Sequence, residues 1–393
     1  MATLGRPALL AAISSALILG GCSTPGFDRA LLGTEIDGVD PGTMSWPLQP
    51  TTMALSPSGG TLLAGCGGGL CRWDTDTGAS DRLRVFPPVA WSPDGSRFAA
   101  KGDDAQVLIV DAADLTISAV LAGHHDTQVM DVPGPITSIQ FSPDGNTLAT
   151  VGWDDTLQLW RVSDGRRLAK VDAPALASVS FSPNSERLVV ATSGSDPSVT
   201  VLDARRGRSV ETLDHVGGGD VAWSPDGRWL AHLDEAGAIV IRDAESFEIT
   251  SSLPSASGAW QWSPDGTLIA HIDEGGRLAL RETDGFTPSY QGPRLGLKPT
   301  QMAFSPDQPV LAMLDREGAA LWHWEAGSEL TPLNHIERPT ALGFAADGGW
   351  LLTAYTELDD YPVSSDFDRD DHTDAILVWD VATGEQVRTL DLP

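Results

Sequence analysis

The chain has 393 residues, with 54 acidic against 25 basic side chains and a formal net charge of −29. Such a surface repels phosphate backbones and anionic headgroups, and no basic stripe along the sequence offsets it, so nucleic acid is not an expected partner. At 41% hydrophobic and 20% charged, the composition is that of a chain that buries a core, which excludes a disordered one.

The first stretch, "MATLGRPALLAAISSALILGGCS", reads as an address. Arg6 gives a small positive head, and Ala8 to Leu19 is an apolar run of 12 residues. That run is too short for a permanent bilayer span and fits the hydrophobic region of a signal peptide. Leu19-Gly20-Gly21-Cys22 resembles the bacterial lipobox, an aliphatic residue three positions before a cysteine with small residues between. The resemblance implies removal of residues 1–21 and acylation of Cys22, giving an anchored protein; ordinary secretion with a fortuitous cysteine is the alternative. Loss of Arg6 leaves 24 basic against 54 acidic residues. Residues 22–50, with Gly, Pro and Asp scattered through them, read as a tether. Ser23, where an Asp would favour inner-membrane retention, points to the outer membrane if the cell has one.

From residue 51 to 393 a turn recurs: SPSG at Ser56, SPDG at Ser92, Ser142, Ser224 and Ser263, SPNS at Ser182, SPDQ at Ser305 and AADG at Ala345. The spacings are 36, 50, 40, 42, 39, 42 and 40 residues. Pro presets φ at the first corner, Asp bonds its own backbone and Gly takes positive φ cheaply. Short apolar runs flank each turn, such as "SIQF" before and "NTLATV" after, with "TLQLWRV" and "RRLAKV" following. Runs this short, bounded by Gly, Asp and Pro, are strands, and no stretch of the mature chain keeps a helical period for three turns. Four strands in about 41 residues describe one blade of a β-propeller. The expected fold is therefore all-β, a single propeller of four-stranded antiparallel blades. Eight turns predict eight blades, with seven as the alternative. The last unit owns a fourth strand, "EQVRTL", so closure by an N-terminal strand has only "SWPL" at Ser45 to offer.

The segment Ala122 to Val162 resembles a WD-repeat, with Gly123-His124, the FSPDG turn, Thr150, Asp154 and Trp160. The resemblance implies a hydrogen-bonded tetrad of His124, Thr150, Asp154 and Trp160 inside one blade. The last unit repeats much of it with His335, Thr353 and Trp379, its Asp374 one position late. This family likeness covers most of the mature chain and speaks to fold more than to function.

Chemistry is sparse. The chain holds no G-x-S-x-G, H-E-x-x-H, P-loop or G-x-G-x-x-G motif, so no catalytic residue is expected. His232 and His271 stand at the offset from their turns that Thr150 and Thr353 hold; with Asp234, Glu235, Asp273 and Glu274 they would face one metal or ligand between blades, or bond within their own blades. Asp366, Asp368 and Asp370 alternate as in a calcium loop, inside the insertion Thr356 to Asp374. Asp371 and Leu377 stand where an EF-hand needs Gly and Glu, so calcium is the one cofactor considered, against a solvated acidic loop. Cys66 and Cys71 flank "GGGL" across a tight hairpin and would form a disulfide outside the cytoplasm, or remain two buried thiols.

In WD-repeat propellers the loops from second to third strand share a face with those joining blades. The insertion at Thr356 and "HHDTQVMDVPGP" at His124 would then project from one side. The expected function is a non-enzymatic protein-interaction platform, exported and lipid-anchored to the cell membrane or outer membrane, with envelope proteins as partners. A hydrolase or small-ligand or metal-binding propeller built on His232 and His271 is the alternative from another class. Assistance in outer-membrane protein assembly is a third, by analogy alone.

Overall fold

In the computed structural model, residues 53–390 are described, except 67–68, 103–104, 125–135, 153, 194–195, 257–258, 296–298, 316–317, 328, 334–338 and 356–374. They form eight four-stranded antiparallel sheets, each built from consecutive strands. The blades span 53–83, 86–122, 136–172, 176–213, 221–253, 260–294, 301–333 and 339–390. Blade 8 takes all four strands from its own unit, Pro339–Phe344, Trp350–Tyr355, Ala375–Asp380 and Gln386–Leu390. Ser45, offered above as a closing strand, lies outside the described residues. No helix is present among the described residues, and none is long and apolar enough to cross a membrane.

In blades 1 to 6 the first turn is a small hydrogen-bonded cage built on its own Ser hydroxyl. In blade 2, Ser92 Oγ–H donates to Asp94 Oδ1 at 2.6 Å and accepts from Arg97 N–H at 3.0 Å, while Gly95 N–H closes on Ser92 O at 2.9 Å. Gly95 sits at φ 69°, the left-handed region that costs glycine little. Blade 4 places Ser185 there, at φ 61°. Its hydroxyl accepts the Asp144 amide of blade 3 at 3.0 Å, and this bond accounts for a side chain at a strained position.

The core is divided among the seams. Eight apolar clusters lie one at each interface between adjacent blades, including the interface of blade 8 with blade 1. An aromatic residue ends the inner strand of seven blades, namely Trp91, Phe141, Phe181, Trp223, Trp262, Phe304 and Phe344, all buried. Trp91 Nε1–H reaches across a seam to Ala54 O at 3.0 Å. The largest buried side chains are Trp73, Trp322 and Trp379; truncating one to Ala removes about 3–5 kcal/mol. Closure therefore rests on the same packing as every other seam.

Candidate functional site

In blade 3 the WD-type polar network is complete. Trp160 Nε1–H donates to Thr150 Oγ1 at 2.9 Å, and Thr150 Oγ1 lies 2.8 Å from His124 Nε2. His124 Nδ1 lies 2.9 Å from Asp154 Oδ1, which also accepts the Thr156 hydroxyl at 2.8 Å. A carboxylate only accepts, so Nδ1 carries the proton and Nε2 takes the one from Thr150. Burial pulls the His124 pKa down, and its bond to Asp154 opposes that pull. Two glycines make room: a Cβ on Gly152 would stand 2.6 Å from His124 Nδ1, and one on Gly123 would strike the Trp160 ring. In blade 8, Trp379 Nε1–H donates to Thr353 Oγ1 at 2.8 Å. His335 and Asp374 lie outside the described residues.

The eight blades can be compared at two positions, one on the second strand and its partner near the end of the third. The pairs are Ala64 and Trp73, Ala100 and Val110, Thr150 and Trp160, Val190 and Leu202, His232 and Arg242, His271 and Arg281, Met313 and Trp322, and Thr353 and Trp379. Two blades thus use a Thr–Trp pair and two use His–Arg.

The His–Arg pairs favour the reading of bonds within each blade over a metal shared between blades. Arg242 Nε–H donates to His232 Nε2 at 3.0 Å, and Arg281 Nε–H donates to His271 Nε2 at 3.1 Å. The lone pair a metal would need is occupied in both. His232 Nδ1–H then donates to Leu233 O at 3.0 Å. Both histidines are fully buried, each inside its own blade. Burial, reinforced by the neighbouring guanidinium, lowers both pKa values, that of His271 to about 4. Among the described residues no three His, Cys, Asp or Glu gather as a metal cage. Asp366, Asp368 and Asp370 lie outside the described residues, as do Cys22 and the 125–135 insertion.

Arg242 was invisible to sequence reading as a structural residue. It is 4% exposed, with Nη1–H on Phe247 O at 2.8 Å and Nη2–H on both Asp214 O and Oδ1 at 2.7 Å. The Arg242 hydrogen bond holds the Asp214 carboxyl below its ordinary range. Arg281 repeats the bond to the turn carbonyl, at Phe286 O and 3.1 Å, but the residue after the preceding outer strand is Pro254 where the chain entering blade 5 has Asp214. The signal was there: a His and an Arg ten residues apart, twice.

Cys66 and Cys71 are joined by a disulfide across the second hairpin of blade 1, inside the core of the blade 8 seam. Just outside that core, Arg388 of blade 8 donates from Nη1 to Thr75 O at 3.0 Å and Asp76 O at 3.2 Å. A groove of about 380 Å³ follows the same seam, lined by Trp350, Val387, Arg388 and Asp347 among others.

The model for the WD domain, G-beta repeat, matches residues 116–161, the stretch that holds the tetrad of blade 3. The C-terminal WD40 domain of Sif2 superposes with a TM-score of 0.60 at 16% identity, over 76% of this chain and 82% of that one. The chain is an eight-bladed β-propeller with a WD40 repeat matched at residues 116–161. Sequence relatives of the propeller include the COMPASS component SWD3 of Saccharomyces cerevisiae, 25% identical over 43% of this chain and 53% of the relative. The small ribosomal subunit protein RACK1 of Schizosaccharomyces pombe is 33% identical over 25% of this chain and 34% of its own length. The chain thus spans about half, or less, of the length of the relatives it matches.

Proposed function

We propose that this WD40-repeat propeller is a non-enzymatic protein-interaction platform, exported and held by lipid at Cys22 on the outer side of a bacterial cell membrane or outer membrane. The observation that carries the platform reading is how the ring spends its buried polar groups. His124, His232 and His271 are committed to hydrogen bonds inside their own units, and Arg242 to His232, the Phe247 carbonyl and Asp214 before the blade, where they hold a scaffold together. The relatives support the same reading by name, since a COMPASS component and a ribosomal subunit protein are members of assemblies. The anchor rests on Leu19-Gly20-Gly21-Cys22 after an apolar run of 12 residues.

Two measurements separate the parts. Mass spectrometry of the membrane-extracted protein should find an acylated N-terminal Cys22, and Cys22→Ser should be unacylated; lipid retained on that variant ends the anchor reading. Crosslinking in native membranes should recover defined envelope proteins. A hydrolytic activity that survives purification, with no crosslinked partner, would end the platform reading.

A further inference from the structure

The charge of the ring is unevenly placed. Between 161 and 208 lie eight of the 25 basic residues and only five of the 54 acidic ones, so this stretch is +3 while the rest of the chain is −32. The source is two turns. The turn from third to outer strand reads "RVSDGRR" in blade 3 and "DARRGRS" in blade 4, whereas the corresponding turn in the other six blades holds no Arg or Lys.

The fold sets these two turns side by side. Gly207 of the blade 4 turn presses on the outer strand of blade 3, where an added Cβ would stand 2.6 Å from Ala169 Cβ and 3.0 Å from Val171 Cγ2. Both turns are tied to the first turns of their blades, Val162 N–H to Asn146 O at 2.9 Å and Ala204 N–H to Glu186 O at 3.0 Å. Those first turns are joined in their turn by the Asp144–Ser185 bond. The basic side chains are thus carried on a rigid double edge.

Part of the charge is already matched. Arg161 pairs with Asp164 at 3.0 Å and Arg206 with Asp203 at 3.1 Å. Arg166, Arg205 and Arg208 are exposed and make no ion pair among the described residues, although Asp164 lies near Arg166 and Asp144 near Arg205. Exposed Arg167 and Lys170 flank them on the outer strand Arg167–Asp172.

We propose that the outer turns of blades 3 and 4 form a docking surface for a short acidic segment of a partner protein, gripped by Arg166, Arg205 and Arg208. Guanidinium groups match carboxylates with two parallel hydrogen bonds, a geometry that an ammonium lacks. Extent selects the partner. A long polyanion or a flat anionic bilayer would reach past the patch into the −32 field, whereas a short carboxylate-bearing segment meets the two turns alone. This surface is independent of the lipid anchor and of the loop face.

The test uses full-length protein and a fluorescein-labelled oligoglutamate peptide, read by anisotropy at low and physiological salt. Binding should be saturable and salt-sensitive. Arg166→Glu/Arg205→Glu should weaken it about tenfold. The charge-matched control Arg82→Glu/Arg84→Glu should change it little, and both variants should keep the wild-type melting temperature. No binding by wild type, or equal loss in both variants, overturns the proposal. So does tighter binding of a single-stranded RNA oligomer or of phosphatidylglycerol vesicles than of the peptide. If the patch variant fails to fold, Arg166→Gln/Arg205→Gln replaces it, with a weaker loss expected and an unchanged affinity decisive against.

Discussion

Arg242 donates its Nε–H to His232 Nε2 at 3.0 Å, in the place where Trp160 donates its indole N–H to Thr150 Oγ1 at 2.9 Å. Both are donor–acceptor pairs buried on the second and third strands, so they are two solutions to one problem. Removing one member should hurt more than removing both. His232→Thr leaves a buried guanidinium N–H too far from its acceptor, a loss of about 1–3 kcal/mol. Arg242→Trp orphans buried His232 and the Phe247 carbonyl and leaves the exposed Asp214 carboxylate to water, and should cost about 2–6 kcal/mol. The swap His232→Thr/Arg242→Trp should be more stable than the summed single changes by about 1–3 kcal/mol. Urea midpoints of the four proteins give the coupling; strict additivity would mean the pair does not act as a unit.

What the sequence made legible follows from distance along the chain. The Ser-Pro-Asp-Gly cage closes within six residues, as Ser92 and Arg97 show, so its local chemistry is written in place. The tetrad of blade 3 spans His124 to Trp160 and was legible because its members stand at recognisable offsets from that turn. The arginine partners were not. An Arg at the end of a strand reads as a solvated charge, and only the buried carbonyls of Phe247 and Phe286 make it a structural one. The docking edge was missed for the opposite reason: Arg166 and Arg205 belong to different units, and no basic stripe exists until the ring stacks them.

Acid should loosen blades 5 and 6. Burial and the Arg281 charge lower the folded pKa of His271 from 6.5 to about 4, and His232 shifts in the same direction. A depressed histidine contributes stability that is present above its unfolded pKa and lost as pH falls toward its folded one. For His271 the window runs from 6.5 down to about 4, and the loss is on the order of 3 kcal/mol. His271→Gln, which offers Arg281 an amide oxygen and does not titrate, should flatten that limb of the stability–pH curve. An unchanged slope would show that His271 is solvated and titrates normally.

Asp220 should tilt the curve the other way. It precedes the inner strand of blade 5 with no hydrogen-bond donor or cation at its carboxylate among the described residues, and burial raises its pKa from 3.8 to about 6. A raised carboxyl favours the folded state only while protonated, so its contribution falls as pH rises from 3.8 to about 6. That window overlaps the one in which His271 gains stability, and the two slopes offset in the wild type. Asp220→Asn should therefore steepen the acid limb and raise stability at neutral pH by roughly 1–3 kcal/mol, because the side chain keeps some contact with water. Melting temperatures across the pH range check both effects. A variant less stable than wild type at neutral pH would mean that Asp220 has a partner.

The Cys66–Cys71 bond should matter locally and not globally. It closes a loop with a sequence separation of 5, for which chain entropy supplies about 2 kcal/mol at most. Its sulfurs lie at the seam of blades 1 and 8, beside Trp73, Leu352 and Ile376, so reduction would disturb the contact that closes the ring. The seven other seams keep their own clusters, and Arg388 still latches blade 8 to the Thr75 and Asp76 carbonyls. Reduction should then lower the unfolding free energy by about 2 kcal/mol or less and raise hydrogen exchange first in blades 1 and 8. Thiol titration of the unfolded, unreduced protein should find neither Cys66 nor Cys71 free; two reactive thiols would show the hairpin to be reduced in the isolated protein. Uniform loss of protection around all eight blades on reduction would mean that the ring opens as one cooperative unit from this seam.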